Sequence, residues 1–446
     1  MTERSFEGDL AEWSGAKVVI SDEDEALVRA LLLDSLAVMG TGSSARPAQA
    51  LQASTIPNSP GPVAVIGTGR SSSPGAAALL NATAGASELW DDTSLWMNTH
   101  SSVPIFAALM SVAPELEPSL GDVIEAYVVG LEAQLAVRSQ TGHSLYLRGY
   151  HSTGLLGVIG CAMAVAHLRR YPPHLMARVL GIAASMGSGV RAQFGSDVMP
   201  LHSGFAAERG LAAVEFAAAG VVPDRRAITG RYGLVECFSD EPAITDHWTG
   251  PMGLGSADIV LKRYPIGAPN IAPVDAALRL RERLGGSVDL ASVRSITCHA
   301  DRWVEYTIGV GVPPAPHAAR VNLPFCVIAA LAHGQDLPSA FHGDDEITGE
   351  TRRLIESFAV EVGDFRDESG QRSAEVELAI GDTRVSASSS ADAYVLPTLE
   401  GGSGEAIYEK VMAVRAFGGA GPILFETVAS GAASLPFRTI LDVLAK

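Results

Sequence analysis

The segment LRGYHSTGLLGVIGCAMAVA, residues 147–166, constrains the fold more than any other part of the sequence. From Ser152 to Ala166 it carries no charged side chain and is rich in glycine and alanine. Because this run is short for a membrane span and is interrupted by glycines, it predicts a helix buried in the core of a large domain. His151 directly precedes it, so this histidine either caps a buried helix or lies in a pocket where it transfers protons.

Composition supports a globular chain with a large core. At 446 residues the chain is long enough for two domains. Its composition of 47% hydrophobic and 18% charged residues is typical of a globular protein. Aromatic residues make up only 6%, so we expect helices that pack closely through small side chains. The formal net charge of −18 opposes extended contact with nucleic acid, and an anionic substrate would need a local cluster of cations.

The sequence predicts a cytoplasmic protein without a membrane anchor. The N-terminal stretch MTERSFEGDLAEW has no apolar region of the kind found in secretory signals. The cysteines Cys161, Cys237, Cys298 and Cys326 are scattered and show no C-x-x-C spacing. They therefore indicate neither a disulfide framework nor an iron–sulfur or zinc site, and a reducing compartment follows.

Hydrophobic periodicity predicts a mainly α chain with a smaller α+β domain. Residues 1–264 are predicted to form an all-helical domain, with helices at 22–39, 76–88, 105–112, 121–139, 152–168, 175–186 and 204–219. Residues 265–398 are predicted to be α+β, with a helix at 273–284, a strand at 293–299 and a hairpin that turns at Gly381-Asp382. Residues 399–446, after a Gly/Ser-rich linker at 400–404, are predicted to be helical and to return to the first domain.

The stretch VAVIGTGRSSSPG, residues 63–75, resembles a dinucleotide-binding fingerprint only in part. Gly67 and Gly69 follow an apolar run, but Ser72 occupies the third glycine position and no acidic residue follows a second strand at the required place. We therefore predict a tight turn, and a dehydrogenase is the least favoured function.

Polar residues interrupt the helical region at two places where the sequence is otherwise apolar. In residues 88–104, Asp91 or Asp92 could cap the next helix or could orient His100 as an acid or base; taken alone, the stretch favours capping. In RGYHSTG, Ser152 or Thr153 is placed to cap the following helix. His151 would then lie at the positive end of that helix, where an anion can bind.

Two further stretches carry groups that could bind a substrate. Residues 189–210 place Arg191, Gln193, Asp197 and His202 in a loop between two helices. Lys262 and Arg263 lie near the predicted domain boundary, where one of the two is expected to face solvent. The sequence contains no zinc-type histidine pair and no phosphate-binding loop, so no metal and no cofactor is predicted.

The order of these stretches resembles the MmgE/PrpD family, which includes 2-methylcitrate dehydratase, cis-aconitate decarboxylase and iminodisuccinate epimerase. The resemblance covers roughly residues 20–420 and is carried by AAALLNATAGASELWDDT, HSSVP, RGYHSTGLLGV, GVRAQFGSDVMPLHSGFAAERG and LKRYPIGAPNIAPVDAAL. It implies a large helical domain with an α+β lid domain, a homodimer, no metal or organic cofactor, and an active site between the two domains.

The resemblance also implies roles for particular residues. Asp92 and Thr93 match the family's D-D-T motif, and His100 and His151 match two family histidines that would form the acid/base pair. His202 and Lys262 match a further family histidine and a family lysine. We predict that Lys262 and Arg191 anchor substrate carboxylates, that His202, Gln193 and Tyr264 also bind the substrate, and that Asp92 and Thr93 orient the two acid/base histidines.

The chain departs from the family pattern at several pocket positions. Leu89 stands where many members have aspartate, Met199 where they have lysine, and Phe325 where a tyrosine is expected. Loss of a cation at residue 199 weakens the binding of a tricarboxylate, so we expect a substrate with fewer carboxylates or a bulkier, more apolar one.

We therefore predict a cofactor-independent lyase, either a dehydratase or a decarboxylase of a carboxylic acid. An isomerase or epimerase of a small dicarboxylate would use the same proton abstraction and is the first alternative. A ligand-binding relative without catalytic activity is the second, because several polar groups are lost.

Overall fold

The computed structural model describes residues 5–54, 59–240, 245, 247–306, 309, 311–343, 345–368, 371–390 and 394–444. The chain divides into two compact units. The first unit consists of Met1–Gln193, Asp197–Leu261 and Leu396–Lys446, and the second consists of Phe194–Ser196 and Lys262–Val395. The chain is mainly α with a smaller α+β part, as the sequence predicts.

The first unit is built from helices that follow one another along the chain to residue 238. They are α1 (Phe6–Ser14), α2 (Asp22–Gly42), α3 (Arg46–Ala53), α4 (Pro74–Ser87), α5 (Ser102–Leu116), α6 (Leu120–Thr141), α7 (Ser144–Leu147), α8 (Ser152–Leu168), α9 (Pro173–Ala183), α10 (Leu201–Ala218) and α11 (Leu234–Phe238). Helix α8 has the predicted bounds at both ends.

Small residues let neighbouring helices approach α8 closely. Every residue of α8 is buried. A Cβ atom added at Gly130 of α6 would lie 2.6 Å from the carbonyl oxygen of Gly160, and one at Gly157 would lie 2.9 Å from the side chain of Ala206 in α10. A side chain at either glycine would push helices apart, so the glycines that interrupt the apolar run are packing residues of a core helix.

The first unit is not entirely helical, which corrects the predicted all-helical domain. Strand β1 (Val63–Val65) pairs with β2 (Arg70–Ser72), and β3 (Thr93–Ser94) pairs with β4 (Ile259–Val260); both pairs are antiparallel. The β1–β2 turn contains Gly67 at φ 74° and Gly69 at φ 65°, backbone conformations that favour glycine. The predicted tight turn is therefore a β-hairpin turn. These strands are too short to show two-residue periodicity.

The second unit places helices against one four-stranded sheet. Its helices are α12 (Ile271–Arg283), α13 (Leu323–His333) and α14 (Gly349–Glu356), and its strands are β5 (Val293–Asp301), β6 (Ala359–Gly363), β7 (Ala374–Ile380) and β8 (Thr383–Ser389). The strand order is β6-β5-β7-β8, with β5 and β6 parallel and the other pairs antiparallel. The core contains the apolar faces of α12, α13 and the sheet.

The C-terminal helices belong to the first unit. They are α15 (Gly401–Met412), α16 (Gly421–Ser430) and α17 (Phe437–Leu444), and α15 and α16 pack on α2. The predicted linker at 400–404 is wrong, because Gly401 begins α15 and the amide of Gly404 donates to the carbonyl of Glu400. Packing on α2 outweighs the low helix propensity of the glycines.

The unit boundaries fall after Leu261 and Val395, whereas the predicted domains change after residues 264 and 398. Lys262 and Tyr264 are therefore in the second unit. Within the described residues, no single helix is long and apolar enough to cross a membrane. Two sharply bent helix pairs, Asp22–Gly42 with Arg46–Ala53 and Gly401–Met412 with Arg415–Ser430, pass that test by length and composition only.

Candidate active site

The segment between α4 and α5 forms a closed loop that ends at His100. Leu89 and Asn98 have positive φ values of 49° and 53°, and Ser94 forms an isolated antiparallel bridge with Thr99. Thr93 is buried in β3. These turns bring residues 91–93 beside the start of α5, although about ten residues separate the two in the sequence.

Asp92 is buried and is bound to the first turn of α5. The amide of Ser102 donates to Asp92 Oδ1 at 3.3 Å, and the Ser102 hydroxyl donates to Oδ2 at 2.8 Å. The Ser102 hydroxyl also lies 2.7 Å from the Tyr127 hydroxyl. Burial and the neighbouring Asp91 and Asp34 raise the pKa of Asp92 to about 7. The carboxylate thus binds a helix N-terminus, as the capping hypothesis predicts.

His100 is held through its Nδ1 atom. Nδ1 lies 2.7 Å from the carbonyl oxygen of Asp92 and 3.3 Å from Asp91 Oδ2. Because a carbonyl oxygen can only accept, Nδ1 must carry the proton, and neutral His100 therefore has its lone pair on Nε2. A carboxylate does face His100, as the functional hypothesis predicts, but it is that of Asp91; Asp92 contributes its backbone carbonyl.

The loop is joined to the start of α8 through Thr153. The backbone amide of His100 donates to Thr153 Oγ1 at 2.9 Å. The N-cap residue of α8 is His151, whose side chain makes no capping hydrogen bond, so the predicted capping by Ser152 or Thr153 is wrong. The Thr153 hydroxyl instead binds the backbone of His100 and so fixes it close to His151 at the start of α8.

His151 and His202 form a buried imidazole pair. Their Nδ1 atoms lie 2.9 Å apart, and the two residues are 6% and 4% exposed. One Nδ1 must donate and the other must accept. Burial and the nearby cation of Arg209 lower the pKa of His202, so His202 stays neutral more readily than an ordinary histidine. The ring centroid of His151 lies 6.2 Å from that of His100.

Arg191 and Gln193 form a single 3₁₀ turn after α9. The amide of Arg191 donates to the carbonyl of Gly149 at 2.8 Å, beside the isolated bridge between Tyr150 and Val190. The Arg191 guanidinium donates to the carbonyl of Tyr146 and lies 4.0 Å from the centre of the Tyr146 ring. This cation is therefore anchored to residues just before His151. Gln193 is half-buried.

The remaining predicted binding residues lie in the second unit. Lys262 is 2% exposed. The Tyr264 hydroxyl donates to Asp275 Oδ1 at 3.0 Å, and burial and this carboxylate raise the pKa of Tyr264 well above its usual range. Asp275 also accepts from Arg279 and Ser389. Phe325 is buried in the first turn of α13, with its ring 5.8 Å from that of Phe341.

Several groups around the loop were not singled out from the sequence. Ser102 contacts Asp92, Tyr127 contacts Ser102, and Lys410 donates to the carbonyl of Trp90 at 2.5 Å. Thr153 was predicted as a helix cap, and its contact with His100 was not predicted. Lys410 had a visible signal, because it follows the buried Ile407 by three residues and so falls on the apolar face of α15. The described part of the chain holds no group of three or more His, Cys, Asp or Glu side chains placed to bind a metal ion.

Comparison with known proteins gives one family and a set of curated relatives. The family model described as the MmgE/PrpD N-terminal domain matches residues 9–246, a little over half of the chain. Cis-aconitate decarboxylase of Mus musculus is 26% identical over 306 residues, covering 64% of this chain and 60% of that protein. Cis-aconitate decarboxylase of Aspergillus terreus (strain NIH 2624 / FGSC A1156) is 29% identical over 308 residues, covering 65% of this chain and 62% of that protein.

Cis-aconitate decarboxylase of Homo sapiens is 25% identical over 301 residues, covering 64% of this chain and 61% of that protein. The chain therefore spans about three fifths of the length of the curated relatives that it matches. The matched family segment contains Asp92, His100, His151 and His202.

Proposed function

Because the chain belongs to the MmgE/PrpD family, we propose that it is a lyase that moves a proton at a carbon atom beside a carboxylate. The proposed reaction is the decarboxylation or dehydration of an acid similar to cis-aconitate or 2-methylcitrate. The observation that carries the proposal is the 6.2 Å separation of the His100 and His151 rings. Two imidazoles at this distance can act on one small substrate as base and acid.

Both reactions need a group that gives or takes one proton. In decarboxylation the bond to a carboxylate carbon breaks, CO₂ leaves, and an acid protonates the carbon that keeps the electron pair. In dehydration a base removes the proton beside the carboxylate, and hydroxide leaves with a proton from an acid. Each proton transfer from a well-placed imidazole contributes roughly 10²–10⁴-fold to the rate.

We assign His100 as the base. Its Nδ1 proton is held by the carbonyl of Asp92, so proton exchange with a substrate goes through Nε2. When His100 takes up a proton, the resulting imidazolium has the carboxylate of Asp91 at 3.3 Å. This carboxylate stabilises the charge that develops during proton removal.

We assign His151 as the acid and His202 as its support. When His151 is protonated, its Nδ1–H donates to Nδ1 of neutral His202, and the proton on Nε2 of His151 is the one that can be transferred to the substrate. This assignment moves His202 from the substrate-binding group to the group that orients an acid. The lowered pKa of His202 favours the accepting role.

Cations must hold the substrate, because the chain as a whole repels anions with its net charge of −18. We propose Lys262 and Arg191 as carboxylate anchors, with Gln193 and Tyr264 as neutral binding groups. Met199 is 8% exposed and supplies no charge at a position where the family resemblance implies a lysine. The proposed substrate therefore has fewer carboxylates than citrate or is more apolar.

Incubation with citrate, 2-methylcitrate and cis-aconitate in D₂O tests the proposal. Mass spectrometry is expected to detect either loss of water, or loss of CO₂ with one deuterium on the carbon that is protonated, and the loss should disappear in H151A and H100A. His174 is exposed, so H174A is the matched control and should retain turnover.

Two outcomes would favour the other candidates. Deuterium exchange without loss of mass would indicate an isomerase or epimerase, which uses the same base but returns the proton to the carbon. Absence of both, with ligand affinity unchanged in H151A, would indicate a protein that binds without catalysis and would overturn the lyase proposal.

A further inference from the structure

A buried lysine from the C-terminal part of the chain reaches the loop that carries Asp91 and Asp92. Lys410 Nζ lies 2.5 Å from Asp34 Oδ1 in α2 and donates to the carbonyl oxygen of Trp90 at 2.5 Å. The side chains of Lys410 and Asp34 are 6% and 1% exposed. The ammonium also lies 4.9 Å from the centre of the Trp90 ring. Lys410 thus binds both the backbone and the ring of one residue.

Trp90 directly precedes Asp91 and Asp92, so the position of its backbone affects where both of them lie. Asp91 follows it directly and presents its carboxylate to His100 Nδ1, and Asp92 presents its carbonyl to the same atom. A peptide carbonyl fixed at Trp90 fixes the plane of the Trp90–Asp91 peptide bond. The position of the acceptor atoms of His100 therefore depends on the anchor at Trp90.

Packing alone does not explain a lysine at this position. Removing a lysine from water is costly unless it is paired, and α15 could bury an apolar side chain here at lower cost. Asp34 supplies the opposite charge, and the Trp90 carbonyl and ring take up further interactions of the ammonium. The three donors of an ammonium suit such a junction.

We propose that Lys410 is a positioning residue for His100: by holding the Trp90 carbonyl, it keeps Asp91 and Asp92 where they fix the proton on Nδ1. This inference rests on the proposed function in taking His100 as the base. It extends the site beyond residues 9–246, because helix α15 lies outside the segment that the family model matches.

The tautomer of His100 is the direct readout, measured by ¹⁵N NMR of the full chain labelled at histidine, with the His100 signals assigned by their absence in H100Q. The wild type is expected to carry the neutral-state proton on Nδ1. In K410M the population is expected to move toward the Nε2-protonated form by roughly three- to tenfold, the size of one net hydrogen bond. The double variant D34N/K410M should give the same shift. It replaces K410M if that variant does not fold, because it leaves no unpaired charge buried at residue 34.

The matched control is R29M. Arg29 of α2 also pairs with a carboxylate, Glu25, and donates to a backbone carbonyl of the C-terminal part, that of Val428 at 2.5 Å. R29M therefore removes a similar ion pair and backbone hydrogen bond, but outside the loop that carries Asp91 and Asp92. The His100 tautomer should stay as in the wild type. A wild-type tautomer in D34N/K410M, or an equal shift in R29M, would overturn the proposal.

Turnover of cis-aconitate gives a second readout. A displaced base is expected to lower kcat roughly 10–100-fold in D34N/K410M with KM changed less than threefold, whereas R29M should stay within about twofold. If the wild type turns over none of the acids tested, the proposed function fails, yet the NMR result still decides whether Lys410 positions His100. A fall in kcat with an unchanged tautomer would count against the proposal.

Discussion

The two units of the chain hold their candidate residues in different ways. In the first unit, Nδ1 of His100 is held by a backbone carbonyl and Nδ1 of His151 is held by another imidazole. Both contacts leave Nε2 of the ring able to gain and lose a proton. In the second unit, Tyr264 donates to the carboxylate of Asp275, which opposes loss of its proton, and the Lys262 side chain is buried.

This difference indicates a division of work. A group that transfers protons needs one nitrogen fixed and a pKa close to the working pH, which imidazole supplies. A group that binds a carboxylate needs a charge or a donor that does not change over that range. We therefore expect substitutions of His100 and His151 to change kcat and substitutions of Lys262 to change KM.

The largest expected effect is that of H100A and H151A. Each substitution removes one proton-transfer group, so kcat for the acid that the wild type turns over best should fall roughly 10²–10⁴-fold while KM changes little. Steady-state kinetics measures both constants. The double variant should be scarcely slower than the worse single variant, because the two groups act on one reaction. Full activity in either single variant would remove the proposed acid/base pair.

The second effect concerns the buried carboxyl of Asp92. Its pKa is raised from 3.8 to about 7, so the folded state binds this proton more tightly than the unfolded chain does. The wild type therefore loses stability as the pH rises from about 4 to about 7, by up to ~4 kcal/mol. D92N carries no charge to bury, and its free energy of unfolding relative to wild type should rise by ~3 kcal/mol between pH 4.5 and pH 8.

Urea denaturation at the two pH values measures this difference. D382N is the control, because the side chain of Asp382 is fully exposed and its substitution should shift stability equally at both pH values. A pH-independent difference for D92N would mean that Asp92 is ionised in the folded protein at both pH values.

The third effect tests the role of the second unit. K262M keeps the length and the apolar stem of the side chain but removes the cation, so KM should rise roughly 10–100-fold, the value of a charged hydrogen bond, while kcat falls less. R263M is the matched control, since Arg263 is the exposed neighbour. A fall in kcat with KM unchanged would assign Lys262 to the chemical step and would remove the proposed division.

The helical part of the fold was predictable because its signals are local. Helix α8 was predicted to the residue, since an uncharged run between a turn and Arg169-Arg170 defines both ends. The start of α15 was not, because α15 as a whole packs on α2, which is far away in the sequence. Local propensity cannot report a partner that lies in another part of the chain.

The candidate site was predictable as a set of residues but not as an arrangement. Family motifs pointed to His100, His151 and His202, and these rings do lie close together. The Nδ1 contact joins residues 51 apart, and the Lys410–Asp34 pair joins residues 376 apart. No periodicity or spacing encodes such contacts, and none predicts that Asp91 presents its carboxylate to His100 whereas Asp92 presents its carbonyl.

The smallest expected effect comes from returning a cation to the first unit. Met199 lies just before α10, and its carbonyl accepts the amide proton of His202. M199K should improve kcat/KM for cis-aconitate about fivefold, less than a full charged hydrogen bond, because the ammonium must be partly desolvated and Arg209 already lies near His202. M199Q, of similar length without charge, should not improve it. If M199K improves kcat/KM through KM, a cation at residue 199 can bind a substrate carboxylate, and its absence is a determinant of substrate choice. If it lowers kcat instead, the added charge disturbs the His151–His202 pair.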